Sequence, residues 1–294
     1  MKINWGSLSL LILLGLIWGS GYSIARYCVT HGVAPMGYSF WQSLGPALFL
    51  LLVVSFKAPK LPLSLPYLRY YLMCGILGIA FPNTLMYFAA SHLPAGILAV
   101  LVNTVPIITY PLALLLKAEH FKSWRILGLG LGVIGVMLIA WPHQGFSHAS
   151  IWTLVVLLTP LSFACCAVFA SFRPVPSDSL SLSAGMMLVS TLLLAPLVLS
   201  FHQFHPLDWP FTTVDWLILL EIVLSSVGYV IFFALIKRAG PVYYSLVGGV
   251  VSITGLFWAY IVFNEKLTLM LGLAVILILA AIGILSFRHT QDGP

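Results

Sequence analysis

Apolar runs of about 20 residues recur from one end of this 294-residue sequence to the other, each long enough as a helix to cross ~30 Å of hydrocarbon. A backbone in lipid must satisfy its own N–H and C=O groups, which leaves helices and closed barrels. Barrel strands alternate in polarity, whereas these runs are uninterrupted. Breakers and charges divide the chain into ten expected spans, at roughly 7–29, 36–56, 67–91, 95–116, 123–141, 150–171, 180–201, 214–236, 241–263 and 268–287. The expected fold class is therefore an all-α polytopic membrane protein with ten transmembrane helices. Composition agrees where it matters most: charged residues make up 7% of the chain, against about a quarter in soluble domains. Lys2 followed by an apolar run resembles a signal peptide, but the run is long and contains Trp18 and Arg26, so a retained helix is expected.

With Met1 in the cytoplasm, eleven of the thirteen lysines and arginines fall on the cytoplasmic side or its interface, Arg26 and Lys266 being the exceptions. This positive-inside pattern predicts cytoplasmic N- and C-termini. Minimal loops without an organelle address predict a bacterial inner (plasma) membrane. The net charge of +6 is dispersed over short loops, so nucleic acid is not expected as a partner; a small-molecule substrate and the lipid bilayer are, with the protein a monomer or weak homodimer. The four cysteines lie in or beside apolar runs without a CxxC pair, and His202 and His205 form an i, i+3 pair without further ligands. No metal and no cofactor are expected. The histidines gathered on the outer side predict a face whose charge changes with pH.

Two glutamates interrupt apolar stretches in the same way, Glu119 in "AEHFKSW" and Glu265 in "FNEKLTL", 146 positions apart. At that offset Val105 matches Val251, Ile107 matches Ile253, Ala113 matches Ala259, and Tyr87 falls on Phe233; an offset of 147 pairs Trp5 with Trp152. Five spans is an odd number, so a second copy enters the bilayer upside down. The expectation is two inverted five-helix repeats, 1–145 and 146–294, around a central cavity, a recurring construction of secondary transporters.

"GLIWGSGYSIAR" in the first span resembles the WG-x-x-[FY]-x-x-x-[KR] opening of the EamA branch of the drug/metabolite transporter superfamily. "PIITYPLALLLKAEHFKSWRILGLGLGVIGVMLI" is similar to its P…E-x-x-x…G…G signature, with Pro106, Glu119, Gly128 and Gly135 in register. The second copy keeps Glu265 but has Ser252 for the proline and Ala274 and Ala281 for the glycines, and Gln42 in "FWQ" stands where the family often has arginine. The resemblance implies a ten-helix bundle of two inverted repeats with a central solute cavity. Relatives of this kind move amino acids, other small metabolites, nucleotide-linked sugars or lipophilic cations.

Individual residues sharpen these expectations. Glu119 and Glu265 each precede a helix and are expected to cap its free N–H groups, with gating or coupling as the alternative. Arg26 and Glu221 are the two charges assigned inside spans; intramembrane charges face a cavity or a partner, so an ion pair between them is expected, against substrate contact or snorkelling. Glu221 is also the candidate proton carrier. Pro82 lacks an N–H, which frees the carbonyl of Gly78 and bends the third span. Asn83 and Tyr87 share one face there, and Tyr229 and Phe233 occupy the matching positions of the eighth span.

Asn103 and Ser245 are further cavity candidates, and Pro106, Gly248 and Gly249 are kink or gate positions, against plain close packing of helices. Trp18, Tyr22, Trp41 and Gln42 either line the cavity or plug it. Gly128 and Gly132 have GxxxG spacing, read as intramolecular packing. The function expected is secondary transport, exporting or exchanging a small organic solute such as an amino acid or a similar amphipathic metabolite. Carriage of nucleotide-linked metabolites or lipophilic cationic drugs is the alternative, and a phosphorylated cargo would need at least two cavity cations where Arg26 alone is obvious. No nucleophile–base pair or phosphate loop points to an enzyme; an intramembrane enzyme or a non-transporting receptor is the different-class rival.

Overall fold

Because each apolar run must pair its own peptide groups, every run folds as helix, and its prolines decide where that helix breaks. The computed structural model describes residues 5–56, 61–115, 121–140, 148–172, 175–245, 247–266 and 268–286. Its helices are α1 (Trp5–Thr30), α2 (Pro35–Ser55), α3 (Leu65–Gly75), α4 (Phe81–Ala90), α5 (Ala95–Val102), α6 (Val105–Leu115), α7 (Ser123–Ala140), α8 (His148–Val156), α9 (Leu158–Phe172), α10 (Ser179–Ser200), α11 (Thr213–Ser245), α12 (Val247–Phe263) and α13 (Leu269–Ser286). No strand occurs among the described residues. Seven segments are long and apolar enough to cross a membrane, and the shorter apolar helices Ser123–Ile139, Val247–Phe263 and Leu269–Ile284 bring the crossings to ten.

Three crossings are broken, each just ahead of a proline. The third is α3, a π-helical turn at Ile76–Ala80, and α4, with Pro82 in its first turn. The fourth breaks at Asn103 and Thr104, before Pro106. The sixth breaks at Leu157, before Pro160. In a turn that bonds each N–H five residues back, Pro82 leaves the Leu77 carbonyl without a backbone donor. The Leu77 carbonyl accepts the Ser162 hydroxyl at 2.7 Å, so α9 occupies it. At the second break, the Asn103 amide and Thr104 hydroxyl donate to the carbonyls of Ala99 (2.6 Å) and Leu101 (2.7 Å).

One boundary differs from expectation. α11 runs through positions 237–245, so the ninth crossing begins at Val247 rather than 241. Proline does not by itself end a helix here, as Pro46, Pro111 and Pro196 lie inside helices.

Polarity is distributed for lipid rather than water. Leu13, Leu48, Leu52, Met137, Leu154, Phe257 and Ile276 are exposed, whereas Ser23, Ser39, Gln42, Ser43, Asn83, Glu221 and Ser226 are buried. The most extensive helix pairings between crossings are α2 with α10, α7 with α13, α5 with α12, α1 with α12, α6 with α9, α3 with α10, α2 with α11, α1 with α11, and α4 with α9. Numbering the crossings one to ten and shifting both members by five turns every one of these pairs into itself or another of them. Ser43 and Ser190, 147 positions apart, meet on the α2–α10 seam with hydroxyls 2.9 Å apart.

Candidate functional site

Helical spacing of four puts polar residues in stripes on the inner faces of α1, α2, α4 and α11. Tyr38 and Gln42 form the stripe on α2, Asn83 and Tyr87 that on α4, and Glu221, Ser225 and Tyr229 that on α11. Tyr22 from α1 and Asn103 from the end of α5 complete the cluster. The Ser225 hydroxyl lies 3.1 Å from Gln42 Oε1 and 3.3 Å from Glu221 Oε1. The Asn83 amide donates to the Tyr229 hydroxyl at 3.5 Å, and the Asn103 amide to the Tyr22 hydroxyl at 3.2 Å. Tyr38 meets Tyr87 edge to face, with centroids 4.7 Å apart, and the Trp18 indole stands 5.8 Å from the Tyr229 ring.

Buried polar groups are normally hydrogen-bonded, and part of this cluster is not. Glu221 Oε2, Gln42 Nε2 and the Tyr38 hydroxyl find no hydrogen-bond partner among the described residues. The arrangement offers an acid, an amide donor and phenols to something that is not the protein itself.

Glu265 has the opposite surroundings. One carboxylate oxygen accepts from Arg26 and from the Ala95 N–H at 2.9 Å, and the other accepts the Gly96 N–H at 3.1 Å. The Arg26 guanidinium also lies over the Phe263 ring, 4.8 Å from its centroid. This clasp joins the end of α1, the start of α5 and the end of α12, as alternate crossing of a bilayer requires. Two expectations are corrected by it. Arg26 pairs with Glu265 instead of Glu221, because α1 packs along α12 and brings the two ends together. Glu265 caps α5 instead of the helix that follows it; Thr268 caps α13, accepting the Leu271 N–H at 3.2 Å.

Other expected residues fall elsewhere. Phe233, one turn beyond Tyr229 on α11, is buried in a core with Leu182, Met186 and Met187 of α10, against which Tyr229 also packs. Trp41 sits at the rim, its indole donating to the His205 carbonyl at 2.7 Å. Gly248 lies against Asn103, where an added β-carbon would be 3.3 Å from the Asn103 carbonyl oxygen, so α12 comes close to the α5 break there. Gly249 has only an ordinary contact with Leu279. Glu119 lies outside the described residues, as does the side chain of Ser245. Gly132 packs on Ile107 and Ala281 within the chain. Of the histidines expected on the outer side, His205 bonds to Asp215 at 3.0 Å and so ties the connection before α11 to that helix.

Sequence reasoning missed Tyr38 and Ser225. For Ser225 a signal existed, since it stands four residues from both Glu221 and Tyr229.

A groove of about 420 Å³ between α12 and α13 touches Glu265 but is otherwise lined by apolar chains and Tyr260. It suits lipid chains, and the polar cluster lies elsewhere.

Comparison with known proteins places this architecture. The sequence model of the EamA-like transporter family matches residues 5–141 and again 150–287. The uncharacterized transporter YoaV of Bacillus subtilis (strain 168) is 22% identical over 295 residues, covering 99% of each chain. A probable amino-acid metabolite efflux pump of Escherichia coli (strain K12) is 25% identical over 291 residues, covering 94% of this chain and 93% of its own. The uncharacterized inner membrane transporter YedA of the same strain is 25% identical over 248 residues, covering 83% and 79%. A solved crystal structure superposes with a TM-score of 0.66 at 17% identity, covering 95% of this chain and 97% of that one, a likeness of fold.

Proposed function

Since this chain belongs to the EamA-like transporter family, we propose that it exports or exchanges an amino acid or similar amphipathic metabolite by alternating access between two inverted five-helix units, 1–145 and 146–294. The coarser statement, a multi-pass membrane transporter of small metabolites, follows from the family and the fold. The finer reading is carried by one observation. Asn83 on α4 and Tyr229 on α11, 146 positions apart, meet at 3.5 Å within the buried polar cluster. A route between two related units places its recognition groups on that seam.

The exchange of packing pairs under a shift of five crossings supports the repeat, as does the double match of the family model. The likeness to an amino-acid metabolite efflux pump supports an amino-acid-like cargo for this chain. The lysine and arginine bias supports cytoplasmic termini, and the likeness to the inner membrane transporter YedA supports an inner membrane. A phosphorylated cargo fits less well, because Arg26 is committed to Glu265.

The test is counterflow in proteoliposomes. Asn83→Ala and Tyr87→Ala each lower solute exchange at least tenfold while the purified proteins keep the wild-type size-exclusion profile. Exchange at the wild-type rate in both variants removes this cluster from the route.

A further inference from the structure

Glu221 is an acid without a counter-charge. The residue is 6% exposed, and among the described residues it makes no ion pair. Ser225 supplies its one hydrogen bond, to Oε1. At Gly21, α1 passes so close that an added β-carbon would lie 2.8 Å from that same oxygen, so backbone alone closes this side. The titratable groups around it are Cys28 on α1, Tyr38 on α2, Tyr87 on α4 and Tyr229 on α11 itself. Asp215, two turns earlier on α11, also faces Cys28 and is held by Thr212 and His205. Each of the groups facing Glu221 is neutral or acidic. Arg26, the basic residue within the neighbouring α1, is held by Glu265.

An ionised carboxylate stripped of water costs several kcal/mol unless a cation accompanies it; without one, the group takes up a proton instead. We infer that Glu221 is the binding point for the protonated amine of the cargo, and that a proton occupies it when the cargo is absent. The inference rests on the transport reading above and names the part of the cargo this cluster recognises. The exchange balances: a neutral carboxylic acid meets an ammonium ion, the carboxylate–ammonium pair forms, and one proton leaves. Because both cations use one carboxylate, they occupy it in turn, which couples export of the amine to entry of a proton. Gln42 Nε2 and the Tyr38 hydroxyl, which find no partner among the described residues, supply donors for an acceptor group on the same cargo. An α-amino acid carries both.

Infrared difference spectroscopy on the full-length protein in nanodiscs tests this by reading the carboxyl directly. Near neutral pH the wild type shows a protonated-carboxyl C=O band that Glu221→Gln lacks. Isopentylamine or L-leucine bleaches it, and isocaproate, which carries only the acid, leaves it intact. Glu221→Asp, which retains an acid, shows a displaced band and guards against loss through misfolding. No band difference between wild type and Glu221→Gln overturns the inference, as does a band that neither amine alters. The readout is independent of solute flux. Failure here with intact counterflow rejects the amine site alone, and a responsive band without counterflow rejects the transport reading alone.

Discussion

Glu265 and Glu221 both come from the second half of the chain, and their surroundings could hardly differ more. Glu265 receives an arginine and two helix N–H groups, and its side chain and that of Arg26 are 19% and 25% exposed. Glu221 is more deeply buried, receives one hydroxyl, and leaves an oxygen without a partner among the described residues. One carboxylate is used up in holding three non-consecutive crossings together at the end of the bundle. The other is left with capacity to spare at its centre. What separates a structural acid from a functional one here is how completely the protein itself satisfies it.

The largest expected effect breaks the satisfied site. Glu265→Ala leaves Arg26 without its partner and uncaps α5. Removing one partner of a buried pair costs roughly 3–5 kcal/mol, and partial exposure reduces that here to about 2–3 kcal/mol. Heating the detergent-solubilised protein and following tryptophan fluorescence reads the loss as a lower unfolding midpoint. Arg26→Ala costs less, because the α5 N–H groups still meet the carboxylate. In the double variant the losses are less than additive, since both changes remove one interaction. Fully additive losses would show that the two residues act separately.

Much of this architecture was legible in the sequence, and the unread part has one cause. Run length, prolines and lysine bias are local signals, and they located the ten crossings and the sites of the breaks at Pro82 and Pro106. Partner choice is not local. Arg26 and Glu265 are 239 positions apart, and depth in the membrane alone pointed Arg26 at Glu221. Only the packing of α1 along α12 redirects it. The 146-residue offset pairs position 83 with 229, and Asn83 and Tyr229 meet at 3.5 Å; Phe233, one turn further along α11, packs in the core shared with α10. The wide turn that leaves the Leu77 carbonyl to Ser162 is likewise invisible in the sequence.

A third carboxylate, Asp178, sharpens the comparison with an intermediate effect. It lies ahead of α10 at the end of the bundle and caps that helix, accepting the Ser181 N–H at 3.0 Å and the Ser181 hydroxyl at 2.6 Å. Burial raises its pKa, but the hydrogen bonds from Ser181 and neighbouring backbone outweigh burial and hold it below the ordinary carboxylate value. A depressed folded-state pKa means stability that is present above the unfolded value and lost as pH falls through the folded one. Asp178→Ala therefore costs about 1 kcal/mol at neutral pH, and the gap from wild type narrows on acidification. A gap that stays constant into acid would remove the cap as its source.

The smallest expected effect separates the two glutamates most cleanly, because the same substitution is made at both. Glutamine keeps the shape of glutamate and removes its charge. At position 265 that strips Arg26 of its counter-ion, so Glu265→Gln destabilises even though an amide oxygen can still accept an N–H. At position 221 the acid already carries a proton, and the glutamine carbonyl can still accept from Ser225. Glu221→Gln is accordingly expected within about 0.5 kcal/mol of wild type, since exchanging one neutral group for another of like shape adds no unpaired buried charge. Unfolding midpoints of the two glutamine variants, measured side by side near neutral pH, give the answer. A fall at Glu221→Gln as large as that at Glu265→Gln would mean that position 221 holds an ionised carboxylate with a partner of its own, and the distinction between the two acids would be lost.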